Sequence, residues 1–431
     1  MSEAEKACYA VSSPRMALIW TTVAFFGGFA GVSAFGPIVS QLKQTMAMSP
    51  MLAGFLAASP ALTGSLLRIP FGAMVDRTGG KKPILILLLL AAAGIAGIIM
   101  MFHRAAAPGP GDYPFLLFFG MLCGCGIAVF SVGVPTVSYW YPQRRQGVAL
   151  AVYAGLGNLA PGLFALLLPA MVTALGFTRS YLVWLGMLGI LTGLVVIFMK
   201  DAPYFQYREM GIEIDPEALF LTCGEELVPS GKAFASVRKA ALDWRTWFLT
   251  FFYFVSFGGF IALTVWLPTY WTELFAVGMV RAGLLTAAFS LSASLLRVAG
   301  GVFSDRVGGE RTVLISFVAV AAGALVMMAA GRSLPAAFSG QMLLALGMGI
   351  ANAAVFKLVP KYSPTAVGGA AGIVGGLGAF GGFVIPPLMS LFVKWNPHAG
   401  YARGFAVFLI FSVASIALFL YLDRHAPGGK R

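Results

Sequence analysis

Apolar stretches of roughly twenty residues alternate with short polar ones along almost the whole chain, and that is the length a helix needs to cross a bilayer. The run "PILILLLLAAAGIAGIIMMF", from Pro83 to Phe102, is the plainest of them. Twelve spanning helices are predicted, at 16–39, 51–75, 83–103, 114–138, 146–170, 180–200, 245–271, 281–303, 312–331, 336–358, 366–393 and 401–422. They must be helices, because lipid offers no partner to an unpaired backbone amide. The first run is too long and too aromatic for a signal-peptide core and is predicted to be a retained span. The longest polar segment, Asp201 to Trp244, is acidic, with Glu213, Glu225 and Glu226 among its carboxylates. It divides the pattern into a first six-helix unit (1–200), a linker (201–244) and a second six-helix unit (245–431).

Composition agrees. The chain is 59% hydrophobic and 10% charged, with mean hydropathy +0.87, whereas a soluble domain carries about 25% charged residues. Its formal charge is +13. The basic residues gather in alternate loops, among them Arg77, Lys81, Lys82, Arg144, Arg145, Arg306 and Arg311, and few lie between: Lys43, Arg104, Arg179, Arg281 and Arg332. This is the positive-inside asymmetry, and it predicts a multi-pass protein of the cytoplasmic membrane with both termini and the linker in the cytosol. No basic soluble domain is visible, so nucleic acid is excluded as a partner. Cys123 and Cys125 read as packing residues in an apolar run. No metal-ligand spacing, cofactor motif or nucleophile–base pair is found, so neither a cofactor nor an enzyme is predicted. A cavity complete within one chain predicts a monomer.

The two halves repeat. "LLRIPFGAMVDRTGGKKPILI", from Leu66, aligns at a constant offset with "LLRVAGGVFSDRVGGERTVLI", from Leu295, with about half the positions identical. Arg68 pairs with Arg297, Asp76 with Asp305, Arg77 with Arg306, and the glycines Gly79–Gly80 with Gly308–Gly309. The loop acids and bases can pair and release as the halves move, which marks them as gating residues. Arg68 lies about 12 Å up the helix from Asp76, so both arginines fall deep in the membrane. Charges there face a cavity and carry function. Every carboxylate lies in a terminus, a loop or at a span end, the nearest being Glu273 at the outer end of the seventh span. Two buried guanidiniums without a counter-ion predict an anionic substrate. Their paired N–H donors suit a flat oxyanion or a phosphate.

Two glycine-rich runs narrow the cavity: "GVALAVYAGLGNLAPG", with Gly155, Gly157 and Asn158, and "GGAAGIVGGLGAFGG", with Gly376 and Gly378. Small residues let helices approach closely, and Asn158 adds an amide.

With one arginine in each of the second and eighth spans and a glycine run in each of the fifth and eleventh, the chain resembles the nitrate/nitrite porter family of the major facilitator superfamily over its whole length. The resemblance implies an all-α membrane protein of major facilitator fold, twelve transmembrane helices in two pseudo-symmetric six-helix bundles. It implies nitrate and nitrite transport by alternating access, by proton symport or by exchange. Arg68 and Arg297 would clamp the anion and Asn158 would contact it. Tyr253 and Phe257 in "FFYFVSFGGF" and Phe130 in "GIAVFSVGV" would shape a narrow slot. Ala379 stands where the first run has Asn158, so no second amide is expected. Lys357, in "VFKLVP", is the one basic residue within a span whose proton burial could loosen, and it is the candidate for proton coupling. Carriers of another small anion and a nitrate-binding membrane sensor stand as alternatives.

Overall fold

The computed structural model describes residues 12–104, 108–212, 215, 217, 219, 233–397 and 399–425. Within the linker, Glu213, Glu225 and Glu226 lie outside the described residues, as do residues 1–11 and 426–431 at the ends. Among the described residues twelve helices are long and apolar enough to span a membrane: α1 (Pro14–Thr45), α2 (Pro50–Thr78), α3 (Lys81–Arg104), α4 (Pro110–Ser138), α5 (Gln143–Leu175), α6 (Phe177–Phe198), α7 (Trp244–Phe275), α8 (Met279–Val307), α9 (Gly309–Ala329), α10 (Leu334–Tyr362), α11 (Val367–Trp395) and α12 (Gly400–Leu422). Among its described residues the linker contributes the short helices Pro203–Glu209 and Ala233–Ala241.

Several spans are broken, and the breaks have causes in the sequence. Proline removes one backbone donor and crowds the carbonyl four residues back. Pro70 stands four residues after Leu66, where the first part of α2 ends; the helix resumes at Arg68. Pro161 stands four residues after Gly157, where the first part of α5 ends, and Asn158 occupies the junction. Pro37 follows the 3₁₀ turn Ala30–Ser33 in α1 in the same way. The repeat of α2 in α8 has Ala299 in place of Pro70, and α8 runs unbroken. In α7 the residues Phe254–Gly258 form a π turn.

The first six helices meet the last six mainly along two seams, α2 on α11 and α5 on α8, and α1 also packs on α7. The repeated loops end α2 and α8 in the same manner, with Gly79 at φ 72° and Gly308 at φ 95°, conformations that a side chain disfavours. Away from the linker the seam is shut. Ser40 bonds Thr272 at 2.8 Å, and Lys43 reaches Glu273 at 3.3 Å and the Tyr401 hydroxyl at 3.1 Å. Towards the linker the seam holds a cavity of about 570 Å³, which runs from Arg68, Phe130 and Phe356 down to Asp76, Tyr139 and the linker helix at Ser236. In the first turn of α11 the Gly369 amide donates to Ser236 Oγ at 3.0 Å.

Candidate functional site

Arg68 lines the head of this cavity and Arg297 lies beside it over the same rings, 1% and 9% exposed. The carbon of each guanidinium lies close to the same two rings: 5.0 Å from Phe130 and 5.0 Å from Phe257 for Arg68, 5.4 Å and 5.5 Å for Arg297. At such distances the ring faces attract the cations, more strongly because water is excluded. The rings themselves are stacked, with centroids 5.9 Å apart and planes 29° apart. Phe257 also stacks on Tyr253 (4.9 Å, 13°) and on Phe29 (6.1 Å, 5°).

The hydrogen bonds of the two arginines differ. Arg68 Nε donates to the Gly64 carbonyl at 3.2 Å, within its own helix, and Nη1 to the Gly375 carbonyl at 2.9 Å, across the seam in α11. Its Nη2 is buried with no partner among the described residues. Arg297 Nη1 donates to the Tyr253 hydroxyl at 3.3 Å. Among the described residues no carboxylate forms an ion pair with either arginine. Helix carbonyls therefore take part of the donor capacity of Arg68, and Nη2 is left over. A buried donor left unmade is expensive, which is why an orphan nitrogen here is informative.

Asn158 is 2% exposed. Its backbone carbonyl accepts the Ser294 hydroxyl of α8 at 2.8 Å, and its side-chain Oδ1 is buried without a partner. The glycines place the seams. A Cβ on Gly155 would come to 2.8 Å from Val298, the residue after Arg297, and one on Gly376 to 3.0 Å from Ile69, the residue after Arg68. A Cβ on Gly157 would run into Phe25, and one on Gly378 would lie 2.7 Å from Tyr253. Each glycine run thus lets its helix ride against the arginine helix of the other half.

The loop residues lie apart from this chamber. Asp76 lines the lower cavity and accepts the Tyr139 hydroxyl at 2.7 Å. Arg77 and Arg306 are exposed at the linker-side ends of α2 and α8. Asp305 pairs with Lys357 at 2.6 Å, and the same ammonium donates to the Ser304 carbonyl at 2.9 Å. The Lys357 side chain is 42% exposed. The burial expected of it from the sequence is absent, because one residue's step around α10 turns Lys357 to the last turn of α8 and Phe356 to the cavity.

Phe356, Phe25, Phe29 and Tyr153 were not singled out by the sequence reading. A signal exists for three of them. Phe25 and Phe29 precede Tyr253 and Phe257 within one residue of the offset that takes Arg68 to Arg297, and "VFSVGVP" repeats as "VFKLVP", which pairs Phe130 with Phe356.

Comparisons with known proteins bear on the fold and the family. The Major Facilitator Superfamily profile matches residues 21–282 and 249–431. The chain is 31% identical to the "Probable nitrate/nitrite antiporter NarK1" of Thermus thermophilus, over 95% of this chain and 91% of that one. It is 32% identical to the "Probable nitrate/nitrite transporter NarK2" of Mycobacterium tuberculosis, over 86% of each. It is 27% identical to the "Nitrite extrusion protein" of Bacillus subtilis, over 96% and 95%. Among solved structures, the xylose transporter XylE of E. coli in a partially occluded inward-open conformation superposes with a TM-score of 0.73 at 13% identity, covering 96% of this chain and all of that one. The fold is therefore that of the major facilitators, and the relatives are transporters rather than enzymes. With two repeated halves, an arginine from each at one chamber, and relatives of this identity over nearly its full length, the chain belongs to the nitrate/nitrite porter family of the major facilitator superfamily.

Proposed function

We propose that this chain carries nitrate and nitrite across the cytoplasmic membrane by alternating access, exchanging one anion for the other. The observation that carries the reading is the pair Arg68 and Arg297. Both are buried over the same two rings, neither is neutralised by a carboxylate among the described residues, and Arg68 Nη2 has no partner. Arg68, Arg297 and Asn158 would hold the anion, with Phe130, Tyr253 and Phe257 as its walls. The names of the relatives support the choice of anion.

Exchange follows from electrostatics. An empty chamber keeps two like charges out of water, and closing both gates around them is unfavourable. A bound monoanion offsets part of that charge and lets the halves rock. A return without an anion would lack this relief, so a second anion has to make the return trip. The exposed Lys357–Asp305 pair sits with Asp76 and the loop glycines in the gate on the linker face, which we read as cytosolic from its basic residues. Proton symport through Lys357 is the second reading, and one experiment separates the two. In proteoliposomes carrying the full chain, labelled nitrate should enter when nitrite or nitrate is loaded inside, and should ignore an inward pH gradient. Accumulation driven by that gradient with no anion inside, lost on Lys357→Gln, would establish symport instead. Uptake of neither anion under any loading would sink the transport of nitrate altogether.

A further inference from the structure

Phe130 is held from behind by a residue that the anion site itself does not use. Tyr153 is fully buried in α5. Its hydroxyl lies 3.0 Å from the Val129 carbonyl and 3.0 Å from the Phe130 carbonyl, the two that follow the 3₁₀ turn Cys125–Ala128 of α4. One proton is shared between two acceptors on the segment that carries the ring. The Tyr153 ring lies 6.1 Å from Phe130 at 17° and 5.1 Å from Phe25 at 36°. Gly133 makes room for it, since a Cβ there would run into the hydroxyl.

The opposite wall is held by ring stacking instead: Phe257 lies against Tyr253 at 4.9 Å and Phe29 at 6.1 Å. Phe257 itself sits inside the π turn Phe254–Gly258, an irregularity that recurs at functional sites. The two walls therefore differ in how they are fixed. They also stand too close. A flat anion between two aromatic faces needs about 7 Å, twice the usual contact distance of about 3.5 Å, and the centroids are 5.9 Å apart. One ring must yield by about 1 Å to admit it.

We propose that Tyr153 is a positioning residue: it fixes Phe130 as the immobile wall of the slot, so that the gap opens only from the Phe257 side and stays narrow enough to prefer a planar anion over a pyramidal one. Loss of the hydroxyl frees both walls, and the slot then accepts thicker anions. This rests on the reading of the chamber as a nitrate slot.

The test uses the full chain in proteoliposomes, with nitrate as the planar anion and chlorate as the pyramidal competitor. Tyr153→Phe keeps the ring and removes only the hydroxyl. The expected result is a nitrate KM raised about fivefold, the effect of one lost buried hydrogen bond, with the maximal rate held and chlorate competing about fivefold better relative to nitrate. Gly133→Ala, which pushes a methyl group at the same hydroxyl, should shift the preference in the same direction. An unchanged nitrate-to-chlorate preference in Tyr153→Phe overturns the proposal. So does an equal loss for both anions with a lowered maximal rate, because that is what a packing role alone would give. Wild-type protein that moves nitrate while the variant keeps its preference refutes only Tyr153. Wild-type protein that moves neither anion refutes the nitrate slot and this role with it.

Discussion

The two arginines reach the chamber by the same sequence signal and are satisfied by different means. Arg68 spends two nitrogens on carbonyls, one of them across the seam, whereas Arg297 leans on the Tyr253 hydroxyl. Lysine keeps the charge but has neither the planar fork nor the reach to hold a carbonyl and an anion together. Arg68→Lys should therefore lower nitrate transport at least tenfold, since a hydrogen bond to a charged group is worth about 1.5–3 kcal/mol. Arg297→Lys should do the same. Uptake at the wild-type rate in either variant would remove that residue from the clamp. Asn158→Ala should weaken nitrate binding without unfolding the protein, because its backbone bond to Ser294 survives the change. Binding that stays unaltered would leave Asn158 as the joint of α5 and nothing more.

Helices deliver these side chains through their irregularities. Arg68 and Phe130 each follow a break, Asn158 is one, and Tyr253 and Phe257 flank and enter the π turn. A second kind of helix end lies at the gate loop. Asp201 accepts from the Gly80 amide at 2.6 Å and the Lys81 amide at 2.9 Å, closing the start of α3. Burial pushes its carboxyl above the usual range, although the two amides pull the other way. A raised carboxyl pKa means that the folded state holds the proton more tightly than the unfolded one. Its contribution to stability is therefore present at low pH and is lost as pH rises through the folded pKa. Asp201→Asn keeps an acceptor and sheds the buried charge, so it should melt no lower than wild type at neutral pH. Asp201→Ala leaves two amides uncapped and should lose about 1 kcal/mol. Equal melting of the alanine and asparagine variants would show that the cap is idle. These elements also show what the sequence could and could not reveal. The spans, the arginine pair and the glycine runs were legible because hydropathy, buried charge and internal repetition are properties of the chain itself. Pro70 and Pro161 even announce two of the breaks. The facing of α10 was not legible, since a one-residue turn of a helix apolar on every side exchanges Phe356 for Lys357. Nor was Tyr153, whose role depends on carbonyls of α4 that no pattern marks.

At the scale of the whole molecule the ion pairs are distributed unequally between the two faces. Among the described residues the ion pairs are Lys43–Glu273, Lys357–Asp305 and Lys361–Glu310. The last two join helices within the second half, and Lys43–Glu273 joins the two halves, on the face away from the linker. Lys43 is held there by Tyr401 as well, through the hydroxyl and over the ring at 5.8 Å. The side chains are 21% and 23% exposed, so the pair is partly screened and worth at most about 1 kcal/mol. That magnitude suits a gate. A pair of several kcal/mol would trap the carrier with its cavity towards the linker, whereas about 1 kcal/mol biases the two states roughly fivefold and can be broken in every cycle. Reversing one charge, in Lys43→Glu or Glu273→Lys, should replace attraction by repulsion and shift the population towards opening on the Lys43 face. Spin labels at Gln44 and Arg281 would report this as a longer distance. The double variant, Lys43→Glu with Glu273→Lys, should bring the distance and the transport rate back towards wild type. If the single reversals leave the distance unchanged, or the double reversal fails to restore it, closure of this face rests on the packed seams of α2 on α11 and α5 on α8, and the ion pair merely accompanies it.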